Sequence, residues 1–333
     1  MTMGLAQPSS RKADHLRIAA GPGVGHAAGS GLDDVRLRHR ALPGRDLAEV
    51  DLATDLLGAR LAAPLFVSAM TGGTAESEAI NRRLTRAATD HGIALVLGSG
   101  RALLRDPALL HTYRSSARPP LLLANLGVAQ LADPDAAARL VELLGADGLS
   151  IHLNPIQEAV QPEGRPEFGC AIERIAATVA RLAPQPVVVK EVGFGMDGAD
   201  VAALRDAGAA AVDVAGAGGT NWALVEGRRA RTAGAVADAF ASWGVSTADA
   251  LIEARATAPD LPLIASGGVR DGVDVARCLA LGASAAGLAR PLLLAAQEND
   301  VEIALEVLVS QLRIATWAAG AARSADLTGA HLR

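Results

Sequence analysis

The densest group of polar residues in the sequence is the stretch HLNPIQEAVQPEG, residues 152–164. It contains His152, Asn154, Gln157 and Glu158 in one short run. Imidazole and amide groups can donate hydrogen bonds to the oxygens of a diphosphate. A carboxylate such as Glu158 can bind Mg²⁺, which proteins hold through one or two carboxylates together with substrate phosphates. Because a single exposed glutamate is usually only solvated, the run predicts an anion site and leaves the metal open.

Lysine is rare in this chain. Of 31 basic side chains only Lys12 and Lys190 are lysine, and the rest are arginine. With so much alanine and glycine, this indicates a coding bias that replaces lysine by arginine wherever the chemistry allows. A planar guanidinium cannot replace a compact ammonium at a tight site. The two lysines are therefore candidates for function, with chance survival as the equal alternative.

Two glycine-rich turns, AGAGGT (215–220) and SGGVR (266–270), could present backbone N–H groups to a phosphate, since glycine has no Cβ in the way. The residues after Arg270 begin a helix whose N-terminus favours an anion. The alternative is that the glycines only turn the chain. Two such turns after neighbouring strands favour a phosphate site.

The elements that must position these residues are eight short apolar runs separated by helical stretches. Nearly continuous apolar runs are typical of strands covered on both faces, as in parallel sheets. The runs are PLFVSAM (64–70), IALVLGS (93–99), PLLLANLG (120–127), GLSIHLN (148–154), PVVVKEVG (186–193), AAVDVAG (210–216), PLIASGG (262–268) and AAGLARP (285–291).

Helices are predicted at 75–91, 133–144, 173–182, 199–208 and 271–282, and several begin with Asp and end at Gly. Eight strands alternating with helices predict an α/β fold, a (β/α)8 TIM barrel. A doubly wound open sheet is the alternative. The barrel is favoured because SGGVR and GLARP follow the seventh and eighth strands, where such barrels commonly bind phosphate.

Two segments are additional to the eight strand–helix units of a minimal barrel. Residues 1–63 are predicted to form an N-terminal extension that contributes to the substrate site, and 64–333 the barrel of a single domain. Residues 21–31 within the extension are rich in Gly and Ala and predict a flexible loop. The connection after the sixth strand, 217–261, is long, and such loops usually form lids or substrate walls.

Composition excludes several classes of protein. Half of the residues are apolar and one fifth are charged, which predicts a large core and excludes global disorder. Only 2% are aromatic and the net charge is −5, which argues against a nucleic-acid partner. Cys170 and Cys278 are too few for a disulfide framework or structural zinc site. Without a membrane-length apolar run or a signal-peptide core, a cytoplasmic protein is expected.

Taken together, the motifs resemble those of the type 2 isopentenyl-diphosphate isomerases, the FMN-dependent family. They span residues 11 to about 291 and together are highly specific. The matching motifs are RKADHL (11–16), LDDVRLRHRALP (32–43), SAMTGGT (68–74), GSGR (98–101), ANLG (124–127), HLNPIQEAVQPEG (152–164), VKEVGFG (189–195), DVAGAGGTNW (213–222), ASGGVRDG (265–272) and GLARP (287–291).

The resemblance implies an FMN-bound barrel that interconverts isopentenyl and dimethylallyl diphosphate by proton transfer, with reduced FMN and Mg²⁺. NADPH or another reductant would serve only to reduce the flavin. Members of the family form homotetramers or homo-octamers. The residues that would contact FMN are Ala69, Met70, Thr71, Ser99, Asn125, Lys190, Thr220, Gly267, Gly268, Arg270, Ala289 and Arg290.

The resemblance also implies the substrate side of the site. Glu158 would hold Mg²⁺, and Gln157 and Glu226, with Trp222 as a wall, would lie near the carbon skeleton. Lys190 would stabilise negative charge on the reduced flavin ring, so Gln157, Glu226 and Lys190 are the candidate catalytic residues. The diphosphate would contact Arg11, Lys12, Arg101, His152, Asn154 and Gln157.

Three positions depart from the usual family pattern. Gly100 stands where Gln is common and is expected to enlarge the pocket beside Arg101. Arg165 replaces an acidic residue, and Asn221 replaces Ser.

The remaining histidines are given lesser roles. His15 is expected to order the N-terminal segment rather than to touch substrate. The histidines assigned to surface or packing are His26, His39, His91, His111 and His331.

Other functions use the same barrel. An FMN-dependent 2-hydroxy-acid oxidase needs a His base and an Arg clamp after the last strands, whereas His152 follows the fourth. An IMP dehydrogenase-like enzyme needs a nucleophilic Cys after the sixth strand, and none occurs from 171 to 277. A non-catalytic flavin- or phosphate-binding barrel would not need Lys12, Gln157, Glu158 and Glu226 together.

Overall fold

The molecule, described here from a computed structural model for residues 8–229 and 231–333, is built around a closed barrel of eight parallel strands. Each strand consists of buried, mostly apolar residues, as the sequence predicts. The strands are β3 (Leu65–Val67), β4 (Ala94–Val96), β5 (Leu122–Gly127), β6 (Gly148–His152), β7 (Val187–Lys190), β8 (Ala211–Asp213), β9 (Leu263–Ala265) and β10 (Ala285–Leu288). They pair in chain order, and β10 closes onto β3. The predicted (β/α)8 barrel is confirmed.

Helices follow the strands and cover the barrel. Several begin at the acidic or hydroxyl residues that the sequence offers as caps: Asp271, for example, accepts hydrogen bonds from the N–H groups of Val273 and Asp274. The helices are α1 (Pro8–Ala20), α2 (Ala75–Asp90), α3 (Arg101–Arg105), α4 (Pro134–Leu144), α5 (Pro155–Val160), α6 (Ala171–Leu182), α7 (Gly198–Asp206), α8 (Trp222–Gly227), α9 (Arg231–Asp238), α10 (Thr247–Thr257), α11 (Gly272–Ala280), α12 (Arg290–Glu298) and α13 (Val301–Ala318).

The segment before the barrel is more structured than its sequence suggests; its residues 1–7 lie outside the described residues. It contains α1 and an antiparallel hairpin of β1 (Thr54–Leu56) and β2 (Ala59–Leu61). Leu56 and Leu61 pack with inward-facing barrel residues such as Phe66 and Leu123. The hairpin therefore closes the end of the barrel where the strands begin.

Residues 21–31, expected to be a flexible loop, are held by backbone contacts. Gly25 forms an isolated antiparallel bridge with Thr220, and the N–H of His26 donates to the carbonyl of Gly219 at 2.9 Å. Val24 is buried against Val225. The expectation of flexibility is therefore wrong, because the segment pairs with the connection after β8.

The long connection after the sixth barrel strand is largely helical. The short helices α8 and α9 precede α10, which packs against α7 and β9. Asn221 begins α8: its side-chain oxygen accepts a hydrogen bond from the N–H of Leu224, and its amide donates to the carbonyl of Phe240. The departure at Asn221 thus has a structural role in joining α8 to the residues after α9.

Membrane insertion through a helix finds no support in the fold. In the portion of the chain covered by the structure, no helix combines the length and apolar character that a membrane span requires.

Candidate active site

A cavity of about 470 Å³ opens at the carboxyl ends of the barrel strands. Groups from the end of each barrel strand and from α1 line it. Every site residue named from the sequence lies on its wall except Glu226, which is buried behind Gln157. The remaining histidines His26, His39, His91, His111 and His331 are not among the described residues that line it.

The strand register aligns three polar residues at the carboxyl ends of neighbouring strands, of which His152 and Lys190 line the cavity. Lys190 of β7 pairs with His152 of β6 on one side and with Asp213 of β8 on the other. The Lys190 ammonium donates to the carbonyl of Glu191. Burial raises the pKa of Asp213, although Lys190 and the hydroxyl of Ser266, which donates at 2.7 Å, act against this shift.

His152 is held in one orientation. Its Nδ1 lies 2.9 Å from Oδ1 of Asn125, an oxygen that can only accept, so Nδ1 carries the proton and Nε2 is free to accept one. Burial, with Lys190, Lys12 and Arg101 nearby, lowers the pKa of His152 to about 3. The imidazole is therefore neutral near pH 7.

Three cations meet in the cavity: Arg11 and Lys12 from α1, and Arg101 from α3. Burial, then Arg11 and Arg101, lower the pKa of Lys12 to about 7. Burial and Arg11 likewise lower the pKa of Arg101. The Nε of Arg11 is buried without a hydrogen-bond partner. Cations that destabilise one another in this way form a site that favours a multiply charged anion.

Lys12 is held by a residue that the sequence did not indicate. Its ammonium donates to the carbonyl of Ser99 at 2.8 Å and lies 3.0 Å from the hydroxyl of Tyr113. Tyr113 is buried, and its hydroxyl also donates to Ser99 at 2.9 Å. Tyr113 is the only tyrosine of the chain, which was the one available signal.

The expected widening of the pocket at Gly100 is wrong. Gly100 does not line the cavity, and a Cβ added there would lie 2.4 Å from Leu140, a core residue of α4. The missing side chain leaves room for Leu140 in the core and not for a ligand. Arg165 places its backbone N–H 2.7 Å from Glu158, so its contribution here comes from the main chain.

Glu158 is the carboxylate for which the sequence predicts a metal, and its oxygens have protein donors in the structure. It is buried, its Oε1 accepts from the amide of Asn154 at 3.3 Å, and its Oε2 accepts from the N–H of Arg165. No cluster of three or more His, Cys, Asp or Glu side chains suitable for a metal occurs among the described residues. Because Mg²⁺ is commonly bound by one carboxylate plus substrate phosphates and water, Glu158 fits a metal that a phosphorylated ligand completes.

The glycine turns bring two loops into contact. Gly267 and Gly268 have φ of 97° and 73°, and a Cβ on Gly267 would lie 2.0 Å from the carbonyl oxygen of Gly216. The glycines are thus required by the packing of the turn after β9 on the turn after β8. Among the described residues, the N–H groups of Gly267, Gly268 and Ala289 donate to no protein acceptor. Unpartnered N–H groups at this position, beside the start of α12, fit a phosphate such as that of FMN.

The two arginines of this region point elsewhere. The guanidinium of Arg290 donates to the carbonyls of Ala19, Ala20 and Gly21, at 3.0, 3.1 and 3.2 Å. It therefore holds the C-terminal end of α1. The guanidinium of Arg270 pairs with Asp33 and Asp274. Both residues line the cavity, but both guanidinium groups are already paired with protein atoms.

Glu226 is fully buried in a network of donors. Its Oε1 accepts from the Gln157 amide at 2.8 Å and lies 2.9 Å from His15 Nε2, and its Oε2 accepts from Arg229 at 2.7 Å. Burial acts to raise the pKa of Glu226, but these partners lower it to about 2. His15 lines the cavity and also lies 5.5 Å from the Trp222 ring, edge to face. His15 thus joins α1 to the buried carboxylate in addition to the ordering role expected for it.

Glu191 is a second buried carboxylate that the sequence analysis did not single out. Its Oε2 accepts from the N–H groups of Val192, Gly193 and Phe194, while its Oε1 has no partner. Burial raises its pKa to about 7. It fixes the turn after β7, and its place directly after Lys190 was the signal available.

Sequence comparisons identify close relatives of this chain. The family model described as FMN-dependent dehydrogenase matches residues 10–103 and 158–333. A protein of Stutzerimonas stutzeri named isopentenyl-diphosphate delta-isomerase is 49% identical over 331 residues, covering 96% of this chain and 94% of that protein. One of Xanthobacter autotrophicus with the same name is 50% identical over 322 residues, covering 94% of each chain.

Similar solved structures include oxidoreductases. A flavocytochrome b2 double mutant with pyruvate bound has a TM-score of 0.69 at 20% identity, covering 97% of this chain and 82% of its own. A soluble mutant of the membrane-associated (S)-mandelate dehydrogenase of Pseudomonas putida has a TM-score of 0.66 at 19% identity, covering 97% of this chain and 98% of its own. At these identities the likeness concerns the fold alone. The chain belongs to the isopentenyl-diphosphate delta-isomerase family, on the fold of the FMN-dependent dehydrogenases.

Proposed function

We propose that the protein interconverts isopentenyl and dimethylallyl diphosphate by proton transfer, using reduced FMN and Mg²⁺. The observation that carries the proposal is one cavity that joins a cluster of mutually destabilised cations to the Gln157–Glu226 pair. The first group suits a diphosphate, and the second suits proton movement beside its carbon chain. The names of the full-length relatives support the same activity.

Binding of the diphosphate is assigned to Arg11, Lys12 and Arg101, with His152, Asn154 and Gln157 beside them. A polyanion would relieve the repulsion between the cations, and the Nε2 of His152 could accept a proton as the charge enters. Glu158 would hold Mg²⁺ together with the diphosphate oxygens. The N-terminal extension, residues 1–63, contributes α1 to this site, and residues 64–333 form the barrel.

FMN is assigned to the residues that line the strand ends and the glycine turns. Its phosphate would meet the N–H groups of Gly267, Gly268 and Ala289, with Arg270 and Arg290 ordering the loops around them. The other assigned residues are Ala69, Met70, Thr71, Ser99, Asn125, Lys190 and Thr220. When bound and reduced, FMN supplies an electron-rich ring and a ring proton. Lys190 would favour negative charge near it.

The isomerisation adds a proton at one carbon and removes a proton from another, so the substrate gains and loses no electrons. Glu226 orients Gln157 by accepting from its amide, and Trp222 and His15 wall the carbon chain. Glu226 is ionised and lies behind Gln157, so it is assigned as the group that would finally accept the proton removed from the carbon chain, with Gln157 between it and the substrate. NADPH is assigned to flavin reduction alone. A cytoplasmic homotetramer or homo-octamer is proposed from the family resemblance.

The test is an anaerobic assay with isopentenyl diphosphate that counts product against NADPH oxidised. Oxidised protein is expected to be inactive, and protein reduced by NADPH or dithionite to form many product molecules per reducing equivalent. One product per NADPH would identify a redox enzyme and would overturn the proposal.

A further inference from the structure

Four charged side chains form a continuous row from the cation cluster to the buried carboxylate. Arg11 on α1 faces Glu163 in the loop after α5, Glu163 faces Arg229 after α8, and Arg229 faces Glu226. We call this row the charge chain. Its exposure falls from 17% and 26% at Arg11 and Glu163 to 8% at Arg229 and zero at Glu226. At its partly exposed end Arg11 lines the cavity, and at its buried end Glu226 accepts from Gln157.

Glu163 serves two arginines with a single oxygen. Its Oε1 lies 3.6 Å from Nη1 of Arg11 and 2.8 Å from Nη2 of Arg229. Arg229 bridges two carboxylates with separate nitrogens, because its Nη1 donates to Glu226 at 2.7 Å while its Nη2 contacts Glu163. The two arginines compete only for the shared oxygen of Glu163, so removing Arg11 would leave that oxygen to Arg229 and strengthen its attraction to Glu163.

The competing contacts bear on how readily Glu226 accepts a proton. Burial raises its pKa, but His15 from α1, Arg229 from its own helix and Gln157 from α5 together lower it to about 2. A carboxylate held so firmly is a weak base. Of these partners, Arg229 has a second carboxylate, Glu163, that can draw it away.

An incoming diphosphate would compete with Glu163 for Arg11, whose contact with that carboxylate is the longest in the chain. Without Arg11, the full charge of Glu163 acts on Arg229. Arg229 would then be drawn from Glu226 towards Glu163, and Glu226 would become the stronger base. Binding energy from the non-reacting end of the substrate would in this way promote the reacting end.

Building on the proposed function, we propose that Glu163 is a positioning residue through which capture of the substrate diphosphate by Arg11 loosens the hold of Arg229 on Glu226. Glu163 touches neither the reacting carbons nor the proton. Its effect passes through Arg229.

The first test is Glu163→Gln in the FMN-loaded protein, with kcat and KM for isopentenyl diphosphate measured under reducing conditions. Glutamine keeps the shape but removes the charge, so Arg229 stays on Glu226 and kcat falls by about tenfold or more. Arg11 is released from its partner, so KM stays the same or falls. A side chain needed only to order the loop would raise KM or weaken FMN binding.

The matched control is Glu167→Gln, the same change at an exposed position in the same loop. It is expected to match the wild type. An active wild type with an unchanged kcat for Glu163→Gln would overturn the inference alone. A wild type without isomerase activity would overturn the proposed function and the inference with it.

Two further variants separate charge from shape. Glu163→Asp keeps the charge at a shorter reach and is expected to have a kcat between those of the wild type and Glu163→Gln; the opposite order would overturn the inference. In an Arg11→Gln background, Glu163→Gln should still lower kcat but no longer favour binding, because Arg11 is absent. If the loss of kcat disappears there, or if both Glu163 variants are unfolded by circular dichroism, Glu163 is structural and the inference is wrong.

Discussion

On one side of the cavity the polar groups are side chains from separate elements, with Arg11 and Lys12 on α1 and Arg101 on α3. On the other side they are backbone N–H groups in the turns at Gly267, Gly268 and Ala289. The cationic side depends on charges that repel one another, and the glycine side depends on dipoles fixed by the main chain.

The difference predicts opposite sensitivities. A site of buried charges responds to pH and to the loss of single side chains, because each charge has a large desolvation cost. A site of backbone groups carries no titrating group of its own, but it tolerates no Cβ where two turns touch. The four predictions below test this contrast, from the largest expected effect to the smallest.

Gly267→Ala should abolish FMN binding and lower the free energy of unfolding by at least about 2 kcal/mol, because φ is positive and the new Cβ would meet the Gly216 carbonyl. Flavin absorbance after purification and thermal melting are the measurements. Gly29→Ala, with open space around the Cβ, is the matched control and should be unchanged. A stable Gly267→Ala protein that still binds flavin would show that the glycine side does tolerate a Cβ, and the contrast between the two sides of the cavity would be wrong.

Lys190→Ala should reduce kcat on the order of 10²-fold while FMN stays bound, because a preorganised charge at the cavity floor is lost. Lys190→Arg should not restore the rate, since the guanidinium is larger and directs its donors differently. Anaerobic turnover and the flavin spectrum are measured together. Restoration by arginine would mean that charge alone is needed there.

Burial, with Arg11 and Arg101 nearby, lowers the pKa of Lys12 to about 7, so the ammonium loses its charge as the pH rises through that value. Because kcat/KM follows the free enzyme, it should fall about tenfold per pH unit above pH 7. Lys12→Arg should remove this limb, since arginine stays protonated. Lys12→Met reports the titration of the diphosphate itself. An identical limb in all three proteins would assign it to the substrate.

Arg290→Gln should raise KM for the diphosphate a few-fold, roughly the effect of weakened hydrogen bonds to α1, and leave FMN affinity nearly unchanged. The reason is that its guanidinium holds Ala19, Ala20 and Gly21. Arg270→Gln, whose partners are Asp33 and Asp274, is the control and should not alter KM. Loss of FMN without a change in KM would show that Arg290 serves FMN binding and not the position of α1.

The barrel could be predicted from sequence because its strands are buried on both faces. In the run PVVVKEVG the first charged residue, Lys190, is also the last residue of β7, so it could be placed at the rim of the barrel before any contact was known. Helix α1 could not be predicted in the same way. Its sequence PSSRKADHLRIAA is mostly polar, and its buried residues Leu16, Ile18 and Ala19 are covered by distant parts of the chain.

Candidate site residues could be proposed from the sequence where they belong to a motif. Contacts between residues far apart in the sequence could not be proposed in this way. Glu163 and Arg229 lie 66 positions apart in sequence but 2.8 Å apart in space. The prediction at Gly100 was wrong because the sequence does not reveal the direction in which a side chain at that position would point. That direction depends on the packing of α4, which brings Leu140 to the spot.

The hairpin β1–β2 affects the order in which ligands enter and leave the cavity. Because Leu56 and Leu61 close the end where the strands begin, ligands would reach the floor of the cavity from the opposite end of the barrel, where α1 lines the cavity. A ligand at the floor must enter first and leave last. A cofactor bound there would stay in place while the smaller molecule above it is exchanged many times. Cofactor binding would therefore precede substrate binding, and the two would not compete.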